Sequence, residues 1–153
     1  MPNSKLPPLN KAQYEALSEF RYQLRRFMHF SEVAAKAAGV TPLQYLLMLH
    51  VRGLPGRDWA TVSELAERLQ LQHHGTVALL SRCEEAGLVR RQKSQVDRRQ
   101  VEVHLQPKGV ELLAQLAAQH ELELRSLSST FQVAQITAFN DVDVQTLPKE
   151  PFE

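Results

Sequence analysis

The chain has 153 residues, and 18 Lys and Arg against 17 Asp and Glu give a formal net charge of +1. This length suffices for one domain with a substantial core, and 43% hydrophobic with 23% charged residues is typical of a folded chain rather than a disordered one. The first residues lack the apolar stretch of a signal peptide, and no run approaches a membrane span, so we expect a cytoplasmic protein. Cys83 is the only cysteine, which excludes an internal disulfide and a multi-cysteine metal site.

Apolar residues recur at helical spacing from Leu17 to Ala38, which predicts a long first helix that ends at Gly39. The run Thr41-Pro42-Leu43-Gln44 has the residue types of a capped helix start and predicts a second helix to about Arg52. Gly53-Leu54-Pro55-Gly56 ends this helix, and we expect the loop to continue to Ala60.

The capping pattern returns at Thr61-Val62-Ser63-Glu64, before a short third helix. The next helix, about His73 to Ala86, follows after only three residues, which is too short for a flexible linker. We therefore expect the two helices to be held at a fixed angle. Two short helices joined by a tight turn form the helix-turn-helix pattern.

Beyond Gly87 the hydrophobic period changes from helical to alternating. Val101, Val103 and Leu105 alternate with polar residues and predict a half-buried strand, whose antiparallel partner is residues 88–93. We expect the run Pro107-Lys108-Gly109 to end this hairpin, followed by a long fifth helix with Leu113, Leu116, Ala117, His120, Leu124 and Leu127 on one face. A shorter sixth helix is predicted at residues 128–140, and a frayed acidic tail at residues 141–153.

These elements predict a mainly α protein with a small two- or three-stranded β-wing, in which a winged helix-turn-helix lies between long N- and C-terminal helices. In this order and spacing, four stretches resemble the MarR family of bacterial transcription regulators over roughly residues 10–140. They are Thr41 to Leu49, Thr61 to Leu69, Glu84 to Arg91, and Asp97-Arg98-Arg99 leading into Val101 to Leu105.

The resemblance implies a homodimer joined by its terminal helices, with each fourth helix in a DNA major groove and each wing near the adjacent minor groove. The implied organisation is a dimerisation and linker helix at residues 1–40, a DNA-binding lobe at 41–106, dimerisation helices at 107–140 and a flexible tail at 141–153. The function implied is a repressor that binds a pseudo-palindromic operator. Many relatives bind small aromatic acids, which implies release by such an effector.

A recognition helix needs an apolar face that anchors it and a polar face that approaches base edges. Leu79, Leu80 and Cys83 suit the anchoring face. Gln can bind adenine through two hydrogen bonds and Val can contact a thymine methyl, whereas the histidines are either DNA contacts or surface residues with no ligand. The candidate DNA-binding residues of the helix-turn-helix are Thr61, Gln72, His73, His74, Thr76, Val77 and Ser81.

Five basic residues and one acid, Asp97, lie between Ala86 and Gln100, which indicates either a solvated surface or a phosphate-binding patch. The resemblance implies that Asp97 pairs with and orients one of the two adjacent arginines at the wing tip and leaves the other to enter the minor groove. The candidate DNA-binding residues of the wing are Arg90, Arg91, Lys93, Arg98 and Arg99, the first three as phosphate contacts.

Other kinds of site have little support in the sequence. An apolar helix face favours an inert thiol at Cys83 over a peroxide sensor, and the six histidines show no i, i+4 pair, so we expect no metal site and no cofactor. We find none of the common catalytic motifs and expect no enzyme. The resemblance also implies an effector pocket where the DNA-binding lobe meets the dimer helices. Its candidate residues are His29, Phe30, Met48, Arg52 and Trp59. The alternative is that these residues are ordinary members of the core and its rim.

A second class of function stays open at this point. Some winged helices act as protein-interaction modules that bind no specific DNA. The basic wing argues against this alternative.

Overall fold

The computed structural model describes residues 6–126, so the predicted sixth helix at 128–140 and the acidic tail at 141–153 lie outside the described residues. Within that range the elements follow the order predicted from the sequence, with one additional strand between the second and third helices. The helices are α1 (Lys11–Ala37), α2 (Pro42–Gly53), α3 (Val62–Leu69), α4 (His73–Glu85) and α5 (Pro107–Ser126). The strands are β1 (Trp59–Thr61), β2 (Val89–Lys93) and β3 (Val101–Leu105).

Residues His29 to Leu122 form one compact unit, and the other described residues, 6–28 and 123–126, belong to a second. The compact unit extends beyond the predicted lobe at residues 41–106, since it includes the end of α1 and most of α5. In the second unit, the first part of α1 carries exposed apolar side chains at Leu17, Leu24 and Met28. Their spacing places them on one side of the helix.

The predicted helix starts at α2 and α3 are confirmed by reciprocal capping bonds. Thr41 Oγ1 accepts from the Gln44 backbone N–H while Gln44 Oε1 accepts from the Thr41 N–H. The same pair of bonds joins Thr61 and Glu64. Each box satisfies amides that the first turn of a helix leaves without intrahelical partners.

The sheet has three strands in the order β1-β3-β2, with both neighbours antiparallel to β3. The expectation of a loop up to Ala60 is wrong, because Ala60 pairs with Val103 inside the sheet. Both side chains are fully buried, so this short strand is held by its pairing and its burial rather than by a local pattern.

The core of the compact unit consists of buried side chains from α2, α3, α4, α5 and the sheet, among them Leu47, Leu65, Leu80, Val103 and Leu116. The run Pro107-Lys108-Gly109 forms the first turn of α5 rather than the end of the hairpin. A Cβ at Gly109 would lie 2.2 Å from the Leu88 carbonyl oxygen, so only glycine allows α5 to pack this closely on the chain that enters β2.

His120 of α5 is a structural residue of this core. Its Nδ1 lies 2.6 Å from the Leu116 carbonyl oxygen, and its Nε2 lies 2.7 Å from the Ser31 hydroxyl. Its ring stacks on Tyr45 at 4.4 Å and meets the edge of Phe30. Burial raises the pKa of the Tyr45 phenol. The histidine thus joins the end of α1, α2 and α5 within the compact unit.

Candidate nucleic-acid interface

The buried face of α4 is formed as the sequence predicts, with one addition. Leu79, Leu80 and Cys83 are buried, and Thr76 is also fully buried. The expectation that Thr76 lies on the exposed start of α4 is wrong, because residues 76, 80 and 83 share one helix face. Its hydroxyl donates to the Gln72 carbonyl at 3.1 Å, which satisfies the hydroxyl inside the core.

The opposite face of the α4 start is open to solvent. Gln72, His73 and His74 are exposed, and Val77 is half-buried. Gln72 occupies the N-cap position of α4 but makes no side-chain capping bond. The first turn of α4 therefore presents polar side chains and backbone amides that residue 72 does not cap.

Two predicted DNA contacts are engaged within the protein. Thr61 is nearly buried, and its hydroxyl oxygen accepts from Glu64 in the α3 cap. The Ser81 hydroxyl donates to the Val77 carbonyl at 3.1 Å. Both hydroxyls have structural roles in this arrangement.

The starts of α3 and α4 and the hairpin of β2 and β3, called the wing here (residues 89–105), border one cleft of about 300 Å³. His73 and Val77 line it from α4, and Ser63 from α3. Arg91 and Arg99 line it from the wing. The exposed start of α4 and the basic wing therefore lie on the same side of the compact unit.

The wing tip is folded by its own polar groups. Ser94 Oγ accepts from the backbone N–H groups of Val96 and Asp97, each at 3.2 Å. Asp97 Oδ1 accepts from the Arg99 N–H at 3.1 Å and lies 3.4 Å from Arg99 Nε. The structure thus pairs Asp97 with Arg99, while no ion pair of Arg98 occurs within residues 6–126.

The basic residues of β2 lie in different surroundings. Arg90, Arg91 and Lys93 are all exposed, and Arg90 donates to the Gln92 side chain. Arg91 instead donates to Glu84 at 2.8 Å and to Ser81 at 3.2 Å, both on α4. The sequence groups these three cations together, whereas their contacts separate Arg91 from the others.

A polar and aromatic network covers the other face of the sheet, and the sequence analysis missed it. The Arg57 guanidinium lies 4.3 Å from the centre of the Trp59 ring, which also stacks near His104. His104 Nε2 lies 2.8 Å from Glu102 Oε2, and this hydrogen bond is the main cause that holds the pKa of Glu102 below its usual value. The one signal in the sequence is that residues 102 and 104 alternate with the apolar residues of β3, which places them on the opposite face of that strand.

The residues predicted to form an effector pocket lie in varied surroundings. Met48 is fully buried in the core, His29 is exposed, and Phe30 contacts His120. Arg52 forms an exposed ion pair with Asp58 at 3.6 Å, and Trp59 belongs to the network on the sheet. The effector pocket stays a prediction.

The described residues give no support to metal or redox chemistry. Residues 6–126 contain no cluster of three or more His, Cys, Asp or Glu that could hold a metal ion. Burial raises the pKa of the Cys83 thiol to about 11, which keeps it protonated and unreactive near neutral pH. In the same part of the chain, no helix combines the length and the apolar character that crossing a membrane requires.

A helix-turn-helix that is preceded by one strand and followed by a basic hairpin, with all three strands in one sheet, defines the class of winged helix-turn-helix proteins. Residues 38–100 match the sequence profile of the MarR family. The fold is shared with AbsC, a MarR family transcriptional regulator from Streptomyces coelicolor, at a TM-score of 0.71 and 22% identity over 89% of this chain and 92% of that one. A second MarR family transcription regulator of known structure gives a TM-score of 0.66 at 26% identity, over 84% of this chain and 83% of that one. The chain is thus similar to the MarR family in sequence over residues 38–100 and shares the fold of these regulators.

Two curated proteins are similar in sequence. One, from Thauera aromatica, is described as a putative transcriptional regulatory protein for the hcr operon and is 31% identical over 96 residues, which are 63% of this chain and 56% of that protein. The other, from Bacillus subtilis, is the uncharacterized HTH-type transcriptional regulator YsmB, 30% identical over 79 residues, which are 52% of this chain and 54% of that protein. The chain spans about half the length of these relatives.

Proposed function

We propose that this chain is a DNA-binding transcriptional regulator that places α4 in a major groove and the wing against an adjacent minor groove. The observation that supports it best is the shared cleft, because it brings the exposed start of α4 together with Arg91 and Arg99 of the wing. A duplex presents base edges in the major groove and phosphates on either side of it. The names of the curated relatives, both transcriptional regulators, agree with this proposal.

The roles within the interface follow from exposure. Gln72, His73 and His74 face bases or phosphates from the start of α4, and Val77 contacts a thymine methyl. Arg98 enters the minor groove because Asp97 engages its neighbour Arg99. Arg90 and Lys93 bind phosphates and set the register without reading sequence.

We further propose that two copies bind one pseudo-palindromic operator and repress the downstream gene. Leu17, Leu24 and Met28 expose apolar area on one side of α1, and a second copy of the chain would cover it. Sedimentation of the purified protein tests this part. We expect Leu24→Glu to shift a dimer to monomer, whereas Tyr22→Glu, about 200° away around the helix, leaves it unchanged.

The DNA-binding proposal is tested by electrophoretic mobility shift with DNA from upstream of the chain's own gene. We expect retardation that depends on sequence and weakens steeply with salt, with a slope of about 0.9 per phosphate contact. The double variant Arg98→Ala/Arg99→Ala should abolish specific binding. Its control, Arg26→Ala/Lys36→Ala, removes the same charge from exposed positions of α1 away from the proposed dimer face and should retain specific binding.

The rival function, a winged-helix module for protein interactions, predicts the opposite result. Such a module would show no sequence-dependent retardation, and the double variant would behave as the parent does. The effector pocket predicted around Phe30 and Trp59 is tested separately, by screening small aromatic acids for release of the bound operator.

A further inference from the structure

Arg91 differs from the other cations of the wing in the contacts that it makes. Its Nε donates to Glu84 Oε1 at 2.8 Å, and its Nη2 donates to Ser81 Oγ at 3.2 Å. The side chains of Arg91 and Glu84 are only 32% and 30% exposed. In the ion pair at the wing tip, Arg99 Nε lies 3.4 Å from Asp97 Oδ1, and the Arg99 side chain is 93% exposed. The pair of Arg91 with Glu84 is therefore shorter and better shielded from water, which strengthens an ion pair.

The two acceptors of Arg91 are arranged on α4 so that both face β2. Ser81 and Glu84 are three residues apart and lie on the same side of the helix. The Ser81 hydroxyl gives its single proton to the Val77 carbonyl, which leaves the oxygen lone pairs for Arg91. A planar guanidinium can serve both acceptors at once, whereas an ammonium group lacks this fixed fork.

The bridge adds a polar connection between α4 and the wing to the buried core that Leu80, Val89 and Val103 share. The covalent turn between them is at Gly87, whose positive φ of 74° directs the chain from α4 into β2. Apolar packing is not directional, so it sets the angle between helix and hairpin less sharply than a hydrogen-bonded ion pair does. Arg91 lies four residues beyond that turn, and its bonds to Ser81 and Glu84 oppose rotation of β2 away from α4.

We propose that Arg91 is a positioning residue and not a phosphate contact: through Ser81 and Glu84 it sets the distance and angle between α4 and the wing. The inference rests on the proposed DNA-binding function, since two elements that enter neighbouring grooves must match the spacing of the duplex. It replaces the roles in DNA contact that sequence reasoning gives to Arg91 and Ser81.

Removal of the Glu84 carboxylate separates the two roles, because they predict changes of opposite sign. If Arg91 binds phosphate, Glu84→Ala releases its guanidinium and removes a nearby negative charge, so DNA binding tightens. If Arg91 positions the wing, the same variant weakens operator binding about tenfold, comparable with the loss of one matched base pair, and affects nonspecific DNA much less. The control is Glu85→Ala, which removes the same charge from an exposed neighbouring position of α4 and should show no such loss of specificity.

The salt dependence of Arg91→Gln gives a second measurement. We expect its slope for nonspecific DNA to equal that of the parent, whereas Arg98→Gln should reduce the slope by about 0.9. Arg91→Lys keeps the positive charge without the fork and should lose specificity as Glu84→Ala does. It tests the bridge even if Glu84→Ala fails to fold, as judged by circular dichroism.

Failure of this inference can be told apart from failure of the proposed function. A parent protein with no sequence-dependent retardation overturns the proposed function and this inference with it. A parent that binds its operator, with tighter binding by Glu84→Ala or a reduced slope for Arg91→Gln, overturns the positioning role alone. A loss of specificity in Glu84→Ala and Arg91→Lys, with an unchanged slope in Arg91→Gln, supports it.

Discussion

The two helices of the helix-turn-helix are held in different ways. At the start of α3 the Thr61 and Glu64 capping box is complete, and Arg57 pairs with Glu64. The last turn of α3 is followed by Gln70 at the C-cap, which adopts a left-handed conformation with φ of 53°. The N-cap of α4, Gln72, makes no side-chain bond. The structure therefore completes the N-terminal cap of the supporting helix and leaves that of the proposed recognition helix without one.

In place of an N-terminal cap, α4 is held by the burial of one face and by a side-chain contact with β2. Thr76, Leu79, Leu80 and Cys83 bury one face of the helix, and Arg91 ties its outer side to β2. A helix held by its flank can keep its first amides and side chains available to a ligand, and helix N-termini favour phosphate. Packing rather than capping should therefore dominate the stability of α4.

The largest expected effect concerns this buried flank. Leu80→Ala should lower the free energy of unfolding by about 2–5 kcal/mol, because it removes buried methyl groups and leaves a cavity. Urea denaturation followed by circular dichroism measures the change. Ala78→Ser, on the exposed side of α4, is the control and should stay within about 0.5 kcal/mol.

The second largest effect is the pH dependence of the unfolding free energy that comes from Cys83, on the same buried face of α4. Burial raises the pKa of Cys83 to about 11 from the ordinary value of 9.0, so the folded state favours the protonated thiol. Its contribution to stability is fully present below pH 9 and is lost as the pH rises toward 11, by about 1.4 kcal/mol per pH unit. We expect the difference in unfolding free energy between the parent and Cys83→Ala to shrink from pH 8 to pH 10.5. A constant difference over this range would contradict the burial of the thiol.

Removal of the α3 cap should have a smaller effect than Leu80→Ala. Thr61→Ala deletes the oxygen that accepts from the Glu64 amide and should cost about 1 kcal/mol. The matched control is Ser63→Ala, in the same turn and exposed, with little change expected. If Thr61→Ala destabilises the protein more than Leu80→Ala in the same urea titration, capping outweighs packing and the comparison fails.

The smallest expected effect comes from giving α4 the cap that it lacks. Gln72→Ser introduces a hydroxyl able to accept from the first-turn amides, so the free energy of unfolding should rise by about 0.5 kcal/mol. Gln72→Ala removes the same side chain without supplying an acceptor and should give no gain. Equal stability of the two variants would show that the α4 amides gain nothing from a cap.

Features encoded by neighbouring residues could be predicted. Both capping boxes depend on two side chains three residues apart, and strand β3 alternates within five residues, so their signals are local. Strand β1 escaped prediction because three residues carry no period and its pairing partner is more than forty residues away. The conformation of Gln70 escaped as well, because positive φ is typical of Gly or Asn and rare in Gln.

The candidate interface also contains features that the sequence predicts and features that depend on how the elements pack. The basic hairpin and the polar start of α4 are visible in the sequence, and the structure exposes Gln72, His73, His74, Arg90, Lys93, Arg98 and Arg99. Thr76 was misplaced because the rotation of a helix about its axis is decided by what it packs against. Arg91 was grouped with its neighbours because an ion pair across two elements leaves no spacing to detect.

The amino-acid sequence by itself determined the order of elements, their capped starts and the positive charge of the wing, since each depends on residues within about one turn or one strand. The tertiary structure decided which face of α4 is buried, which arginine at the wing tip Asp97 engages, and that Arg91 is bound to α4. The physical reason is that burial and ion pairing arise between elements, and the choice among several similar side chains is made only when those elements pack together.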